Sequence, residues 1–149
     1  MTDHGLKNLD EGLQRLGSLQ SINLNFTWSV TFLRRLCWLA VSCNKITDQG
    51  LKSLGEGLQR LNALQAINLK VQRWVTFGRE LCWLVKRCFK ITDQGLNYLS
   101  EGLKRLGSLQ SINLDFTWCN LITDQGLKYL RECLKRLDVL QSINLNFGR

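Results

Sequence analysis

One phrase, repeated four times with small changes, constrains the fold of this chain more than any other feature. Thr-Asp-Gln-Gly-Leu, with His in place of Gln in the first copy, stands at 2–6, 47–51, 92–96 and 123–127. Each copy precedes a leucine-spaced stretch and then Leu-Gln-Ser/Ala-Ile-Asn-Leu, at 19–24, 64–69, 109–114 and 140–145. A unit that cannot bury its own apolar face becomes stable by stacking on copies of itself. The repetition therefore predicts one domain over residues 1–149, built as a solenoid of about four repeats.

The first half of each unit has the spacing of an amphipathic helix. In the second unit, leucines recur at intervals of three and four, at Leu51, Leu54, Leu58 and Leu61, which places them on one stripe of a helix. Thr47 or Asp48 can cap the first turn by accepting hydrogen bonds from its free N–H groups. The pattern predicts a capped helix whose leucine stripe is buried against neighbouring units.

The second half of each unit has the alternation of a short strand. Ile67 and Leu69 alternate with Ala66, Asn68 and Lys70, and a period of two indicates a strand with one buried face. Each unit is therefore predicted to be one helix plus one strand. Stacked copies would form a parallel sheet on one side and a row of helices on the other.

These residues carry a family resemblance. Leu-x-x-Ile-x-Leu followed by Cys-Asn-x-Ile-Thr-Asp-Gln-Gly-Leu resembles the leucine-rich repeat, most closely its ribonuclease-inhibitor-like and cysteine-containing subclasses, and residues 109–137 show it best. The resemblance implies a right-handed α/β horseshoe segment, with the parallel sheet on the concave side and the helices on the convex side. It also implies binding to other proteins, and a buried role for Cys43, Cys88 and Cys119 in bonding the turn that follows each strand.

Two insertions interrupt the repeat. The copies begin 45, 45 and 31 residues apart, and the excess lies in residues 29–42 and 74–87, which share Val-Thr-Phe and Leu-Cys-Trp-Leu. Apolar residues at helical spacing predict that each insertion forms a short amphipathic helix: Phe32, Leu36, Leu39, Ala40 and Cys43 in the first, and Trp74, Phe77, Leu81, Leu84, Val85 and Cys88 in the second. In a competing interpretation, Leu33, Leu36 and Trp38 reproduce the spacing of the repeat's own strand and compete for its place in the sheet.

The insertions are the first candidate for a binding surface. They leave from equivalent points of successive units and should lie side by side on one rim, where tryptophan and arginine are typical of interface hot spots. The residues predicted to contact a partner protein are Arg34, Arg35, Trp38, Arg79, Trp83 and Arg87. Two other interpretations stay open: a structural flap over the edge of the horseshoe, and non-coding sequence translated in error.

The sheet face predicted to lie on the concave side is the second candidate. Its columns are nearly identical from unit to unit: Ser21, Asn23 and Asn25; Ala66, Asn68 and Lys70; Ser111, Asn113 and Asp115; Ser142, Asn144 and Asn146. The asparagines Asn23, Asn68, Asn113 and Asn144 form its central column.

The pattern disfavours catalysis. His4 is the one histidine, and Cys37/Cys43 and Cys82/Cys88 have six-residue separations rather than zinc-ligand spacing, so the sequence predicts no catalytic site, metal or cofactor. The chain opens without a basic and apolar leader, and we expect a cytoplasmic protein with free thiols.

The predicted function is a non-catalytic scaffold for protein–protein interaction. Two alternatives remain. The basic, tryptophan-containing insertions could bind nucleic acid or an anionic membrane, although the net charge of +8 is spread along the chain rather than gathered in one run. The second alternative is a structural fragment of a longer array that self-associates through open ends, because the terminal units show no polar cap.

Overall fold

In the part of the chain that the structure describes, a helix and then a strand follow each copy of the repeated phrase. The computed structural model describes residues 2–31, 46–76 and 90–148. The helices are α1 (Asp3–Leu13), α2 (Asp48–Leu58), α3 (Asp93–Leu103) and α4 (Asp124–Leu134). The strands of the repeat are β1 (Ser21–Asn25), β3 (Ala66–Lys70), β5 (Ser111–Asp115) and β6 (Ser142–Asn146), with two further strands, β2 (Trp28–Thr31) and β4 (Arg73–Thr76), between them.

The four repeat strands form one parallel sheet in the order β1-β3-β5-β6. Their register aligns the same position of every unit, so that Ile22, Ile67, Ile112 and Ile143 are neighbours along one row. Parallel strands need a crossover connection between them, and here the helix of each unit supplies it. The predicted α/β solenoid of the leucine-rich-repeat type is confirmed.

The core lies between the helices and one face of the sheet. The leucine stripe predicted from the second unit is fully buried, at Leu51, Leu54, Leu58 and Leu61, and it packs with strand residues such as Ile67 and Leu69 in one cluster. Burying a leucine or isoleucine side chain contributes roughly 1.5–3 kcal/mol. The apolar residues at helical spacing and those at strand spacing therefore pack together in a single continuous core that runs through the stack.

An aspartate of each unit holds the threonine cap of the next. Asp48 accepts hydrogen bonds from the Thr92 backbone N–H at 2.8 Å and from its hydroxyl at 2.7 Å. Asp3 binds Thr47, and Asp93 binds Thr123, in the same way. The hydroxyls of Thr47, Thr92 and Thr123 also accept from the N–H two residues on. The predicted threonine cap is therefore confirmed for α2, α3 and α4, and the aspartate has a second role that links units.

Glycines make this close stacking possible. A Cβ on Gly50 would lie 2.4 Å from Oδ1 of Asp3, and Gly95 and Gly126 have the same relation to the preceding aspartate. On the helix side, a Cβ on Gly102 would lie 2.4 Å from the carbonyl oxygen of Gly55. Glycine in a helix lowers the stability of that helix. Here it also allows two helix backbones to come into contact, which a larger residue would prevent.

The insertions begin as strands. β2 and β4 pair in parallel, with Ser29 opposite Trp74 and Thr31 opposite Thr76, so the two insertions do leave side by side as expected. The helices predicted for the two insertions are wrong for residues 29–31 and 74–76, which are strands. The backbones of the two insertions satisfy each other's hydrogen bonds where they leave the repeat. The remainder of both predicted helices lies outside the described residues.

Removing a linking aspartate should destabilise the stack only where a following unit depends on it. We expect Asp48→Ala to lower the free energy of unfolding by about 2–3 kcal/mol, because two hydrogen bonds to a charged group are lost. Asp124→Ala is the matched control, since Asp124 occupies the same helix position and should lose only the helix-dipole contribution of about 0.5 kcal/mol. Urea unfolding of dilute protein by circular dichroism measures both, and equal losses would contradict the linking role.

Alanine at two equivalent glycines should have opposite effects. We expect Gly102→Ala to destabilise the protein by about 1–3 kcal/mol, since the added methyl group would push α3 away from α2. Gly12→Ala should stabilise by about 0.5–1 kcal/mol, because a Cβ there has no neighbour within 4 Å and alanine favours the helix. Thermal and urea unfolding test the pair, and a destabilised Gly12→Ala would contradict the interpretation.

Candidate interaction surface

The sheet face opposite the helices presents a column of amides. Along β1 and β3 the residues alternate between buried and more exposed, so the side chains that do not enter the core are on this face. Its central column is Asn23, Asn68, Asn113 and Asn144, aligned by the strand register. Asn23 and Asn144 are exposed, and Asn68 and Asn113 are partly exposed. An amide can both donate and accept hydrogen bonds. Oδ1 of Asn68 is itself buried, so the exposed parts of the column are what is chemically suited to bind polar groups of another chain.

Asp115 departs from the polar face predicted for it. It is only 7% exposed, whereas the sequence predicted that it would face outward with Ser111 and Asn113. Its carboxylate accepts hydrogen bonds from the backbone N–H of Thr117 at 3.0 Å, from the Thr117 hydroxyl at 2.6 Å and from Nδ2 of Asn146 at 3.3 Å, and also from Nε2 of Gln72. Asp115 therefore joins three successive units where their strands end.

The surroundings of Asp115 favour its charged form. Burial by itself would raise the pKa of Asp115, but the hydrogen bonds from Thr117, Gln72 and Asn146 outweigh burial and lower the pKa below its ordinary value. Hydrogen bonds that donate to a carboxylate stabilise the anion over the neutral acid. A buried anion thus holds the turn after β5 in place.

Trp118 is a candidate contact residue that the sequence interpretation missed. It lies in the turn held by Asp115, its backbone adopts a positive φ of 69°, and its side chain is 50% exposed. A positive φ is unfavourable for a bulky residue and is characteristic of functional or tightly constrained turns. Its N–H donates to the carbonyl of Gly148 at 2.9 Å. Leu121, three residues on, is also exposed.

Trp118 marks the rim from which the insertions leave. It occupies the repeat position at which Trp28 starts β2 in the first unit and Arg73 starts β4 in the second. The signal was present in the sequence, since Phe-Thr-Trp occurs in both the first and third units. The predicted contact residues Arg34, Arg35, Trp38, Arg79, Trp83 and Arg87 lie outside the described residues, so they remain predictions.

Cys119 links the turn after β5 to the preceding unit through a buried hydrogen bond. Its thiol is buried and donates to the carbonyl of Val71 at 3.7 Å, which agrees with the role implied by the family resemblance. Burial, together with the nearby charge of Asp115, raises the pKa of the Cys119 thiol to about 12. Such a thiol stays neutral and unreactive at physiological pH. Cys43 and Cys88, for which the same role was expected, lie outside the described residues.

The described part of the chain shows neither a metal cluster nor a membrane-spanning helix. Within residues 2–31, 46–76 and 90–148, no group of three or more His, Cys, Asp and Glu side chains could hold a metal ion. In the same residues, no helix combines the length and the apolar character needed to span a membrane.

One helix and one parallel strand per repeat, stacked on a shared core, define an α/β solenoid protein. A family model described as Leucine Rich repeat matches residues 39–55 and 109–130. These two matches support a leucine-rich repeat family for the chain. Proteins of this family are generally non-enzymatic and typically bind other proteins. No curated protein matches this sequence.

The stability supplied by Asp115 should depend on pH. Because the folded-state pKa of Asp115 is lowered, its contribution is fully present above its ordinary pKa of 3.8 and is lost as the pH falls through the folded-state value. We expect Asp115→Asn to lower the free energy of unfolding at pH 7 by about 1–3 kcal/mol, since the Asn amide cannot accept all of these bonds.

The difference between Asp115→Asn and wild type should narrow as the pH falls below 4, because the wild-type carboxylate becomes protonated. Thr117→Val, which removes one donor, should produce the same trend with a smaller amplitude. Urea unfolding at a series of pH values measures both. A difference that is constant with pH would contradict the assigned role of the Asp115 charge.

Proposed function

We propose that this chain is a non-catalytic scaffold that binds another protein across its sheet face. The observation that carries the proposal is the column Asn23, Asn68, Asn113 and Asn144, which the strand register places in one row across four parallel strands. A row of amides can exchange hydrogen bonds with the backbone and polar side chains of an extended segment. The orientation of such a segment would be across the strands.

The rim beside this face supplies the apolar anchor. Trp118 is exposed and its backbone is fixed by the turn that Asp115 holds, so binding would cost little additional ordering of the backbone at this position. Preorganised aromatic residues account for a large share of affinity in protein interfaces. The proposed site therefore combines hydrogen bonding by the asparagines with apolar contacts at Trp118 and Leu121.

The insertions belong to the same proposal. β2 and β4 leave the repeat on the rim of Trp118, and the predicted contacts Arg34, Arg35, Trp38, Arg79, Trp83 and Arg87 follow them in sequence. Arginine and tryptophan there would extend the anchor. The hydrogen bond of Cys119 supports assignment to the cysteine-containing subclass of repeat, in which a buried Cys bonds the turn backbone.

Binding should be lost when the amide column is blocked. A peptide-display library selected on immobilised wild-type protein supplies the ligands, whose affinities are then measured by fluorescence anisotropy with synthetic peptides. We expect the double variant Asn68→Arg and Asn113→Arg to abolish binding, because two long charged side chains would cover the face. Trp118→Ala should weaken binding by about 30-fold or more, the loss of a hot spot of roughly 2 kcal/mol.

Asn62→Arg is the matched control, since it introduces the same residue at an exposed turn away from this face and should leave affinity unchanged. Peptides that bind the double variant as well as wild type would overturn the proposed site. If RNA or anionic vesicles bind instead, with affinity that falls steeply as salt is raised, the function lies in the basic insertions.

A further inference from the structure

Among the described residues, Lys70 is the one charged side chain that the sheet face leaves partly exposed. The strand positions that alternate with the core positions otherwise carry serine, alanine and asparagine, apart from Asp115, which is only 7% exposed. Lys70 ends β3 and is of intermediate exposure. Its neighbours in the strand register are Asn25 and Asp115. A single cation therefore lies within a face that is otherwise made of neutral polar groups.

The chain supplies no carboxylate contact to Lys70, although Asp115 lies on the next strand. Oδ1 of Asp115 accepts from the N–H and the hydroxyl of Thr117, and Oδ2 accepts from the side-chain amides of Gln72 and Asn146. A carboxylate has about four acceptor sites, so these four donors occupy all of them. Within the described residues, Nζ of Lys70 makes no hydrogen bond and belongs to no ion pair.

The position of Lys70 in the sheet does not require a lysine. Lysine on an edge strand can protect that edge from unwanted pairing, but β3 lies between β1 and β5 and is paired on both sides. The first and fourth units carry Asn25 and Asn146 at the equivalent position, so a neutral amide is compatible with the fold. The cation of the second unit is therefore available for a group outside the chain.

We infer that the segment bound across the sheet face carries an aspartate or glutamate side chain that pairs with Lys70. The inference rests on the proposed binding across this face, and it names the chemistry of the partner: an extended segment with a carboxylate opposite β3. A partner that covered the ammonium group of Lys70 without pairing it would lose the hydration of that charge and gain nothing in return. Neutral and basic segments are therefore disfavoured relative to acidic ones.

Lys70 and Trp118 together would fix the position and the direction of the bound segment. They belong to neighbouring units, whose strands lie about 4.8 Å apart, and an extended segment advances about 3.3 Å per residue. The carboxylate should therefore lie within a few residues of the apolar side chain that contacts Trp118. Two unlike contacts at a fixed separation distinguish the correct alignment from one shifted by a unit and from one that is reversed.

The peptides selected on immobilised wild-type protein are the first test. We expect those that lose binding to the double variant Asn68→Arg and Asn113→Arg to share an aspartate or glutamate close to an apolar residue. Face-dependent peptides without a shared acidic position would overturn this inference and leave the proposed function standing. A selection that yields no face-dependent peptide would overturn both.

A double-mutant cycle, measured by fluorescence anisotropy, tests whether the shared acid pairs with Lys70. One synthetic peptide carries the acid and the other has glutamine or asparagine in its place, and both are amidated at the C-terminus so that the side chain supplies the carboxylate. With wild type, the neutral peptide should bind about fivefold more weakly, as expected for a partly exposed ion pair. With Lys70→Gln the two peptides should bind equally, because the interaction has already been removed.

Two controls separate this pairing from a general attraction of acidic peptides to a chain of net charge +8. Lys128→Gln removes an exposed lysine of α4, on the helix side, and should keep the fivefold difference between the peptides. A scrambled peptide of the same composition should bind weakly to wild type. Equal binding of the original and scrambled peptides, or a difference between the acidic and neutral peptides that persists in Lys70→Gln, would overturn the inference. Circular dichroism checks that both variants keep the wild-type fold.

Discussion

The carboxylate of one aspartate per unit is the interaction on which the rest of this structure depends. Asp48 binds both the backbone N–H and the hydroxyl of Thr92, so it fixes where α3 begins relative to α2. Gly95 then allows the carboxylate and Leu51 to approach closely. With helix starts fixed in this way, segments of equal length bring each strand to the same register, and the isoleucines and asparagines of successive units align.

This interaction also gives the solenoid a direction. The aspartate always belongs to the preceding unit and the threonine to the following one, and the ladder bonds from Gln65 to Gln20 and from Gln110 to Gln65 run the same way. The same bond, repeated at each of these junctions, therefore orders the units in one direction along the stack.

The sequence predicted those elements that are determined by residues within a single repeat unit. Leucine spacing predicts α2, alternation predicts β3, and Thr47 predicts the cap, because each pattern reflects local backbone geometry and one buried face. The pairing of β2 with β4, the burial of Asp115 and the positive φ of Trp118 were not predicted. Each depends on groups from other units, as Asp115 does on Gln72 and Asn146, and contacts of that range leave no periodic signature.

Specificity in this surface has to come from residues that do not repeat. The column Asn23, Asn68, Asn113 and Asn144 is uniform, so a partner shifted by one unit would meet the same amides and lose little binding energy. Trp118 distinguishes the third unit, because it lies in a turn held by the buried charge of Asp115, and the other units have Asn25, Lys70 and Asn146 at the position of Asp115. The tryptophan at the equivalent position of the first unit, Trp28, begins a strand instead. An anchor at one unit selects a single register from those that the amide column would accept, since specificity is a difference between affinities.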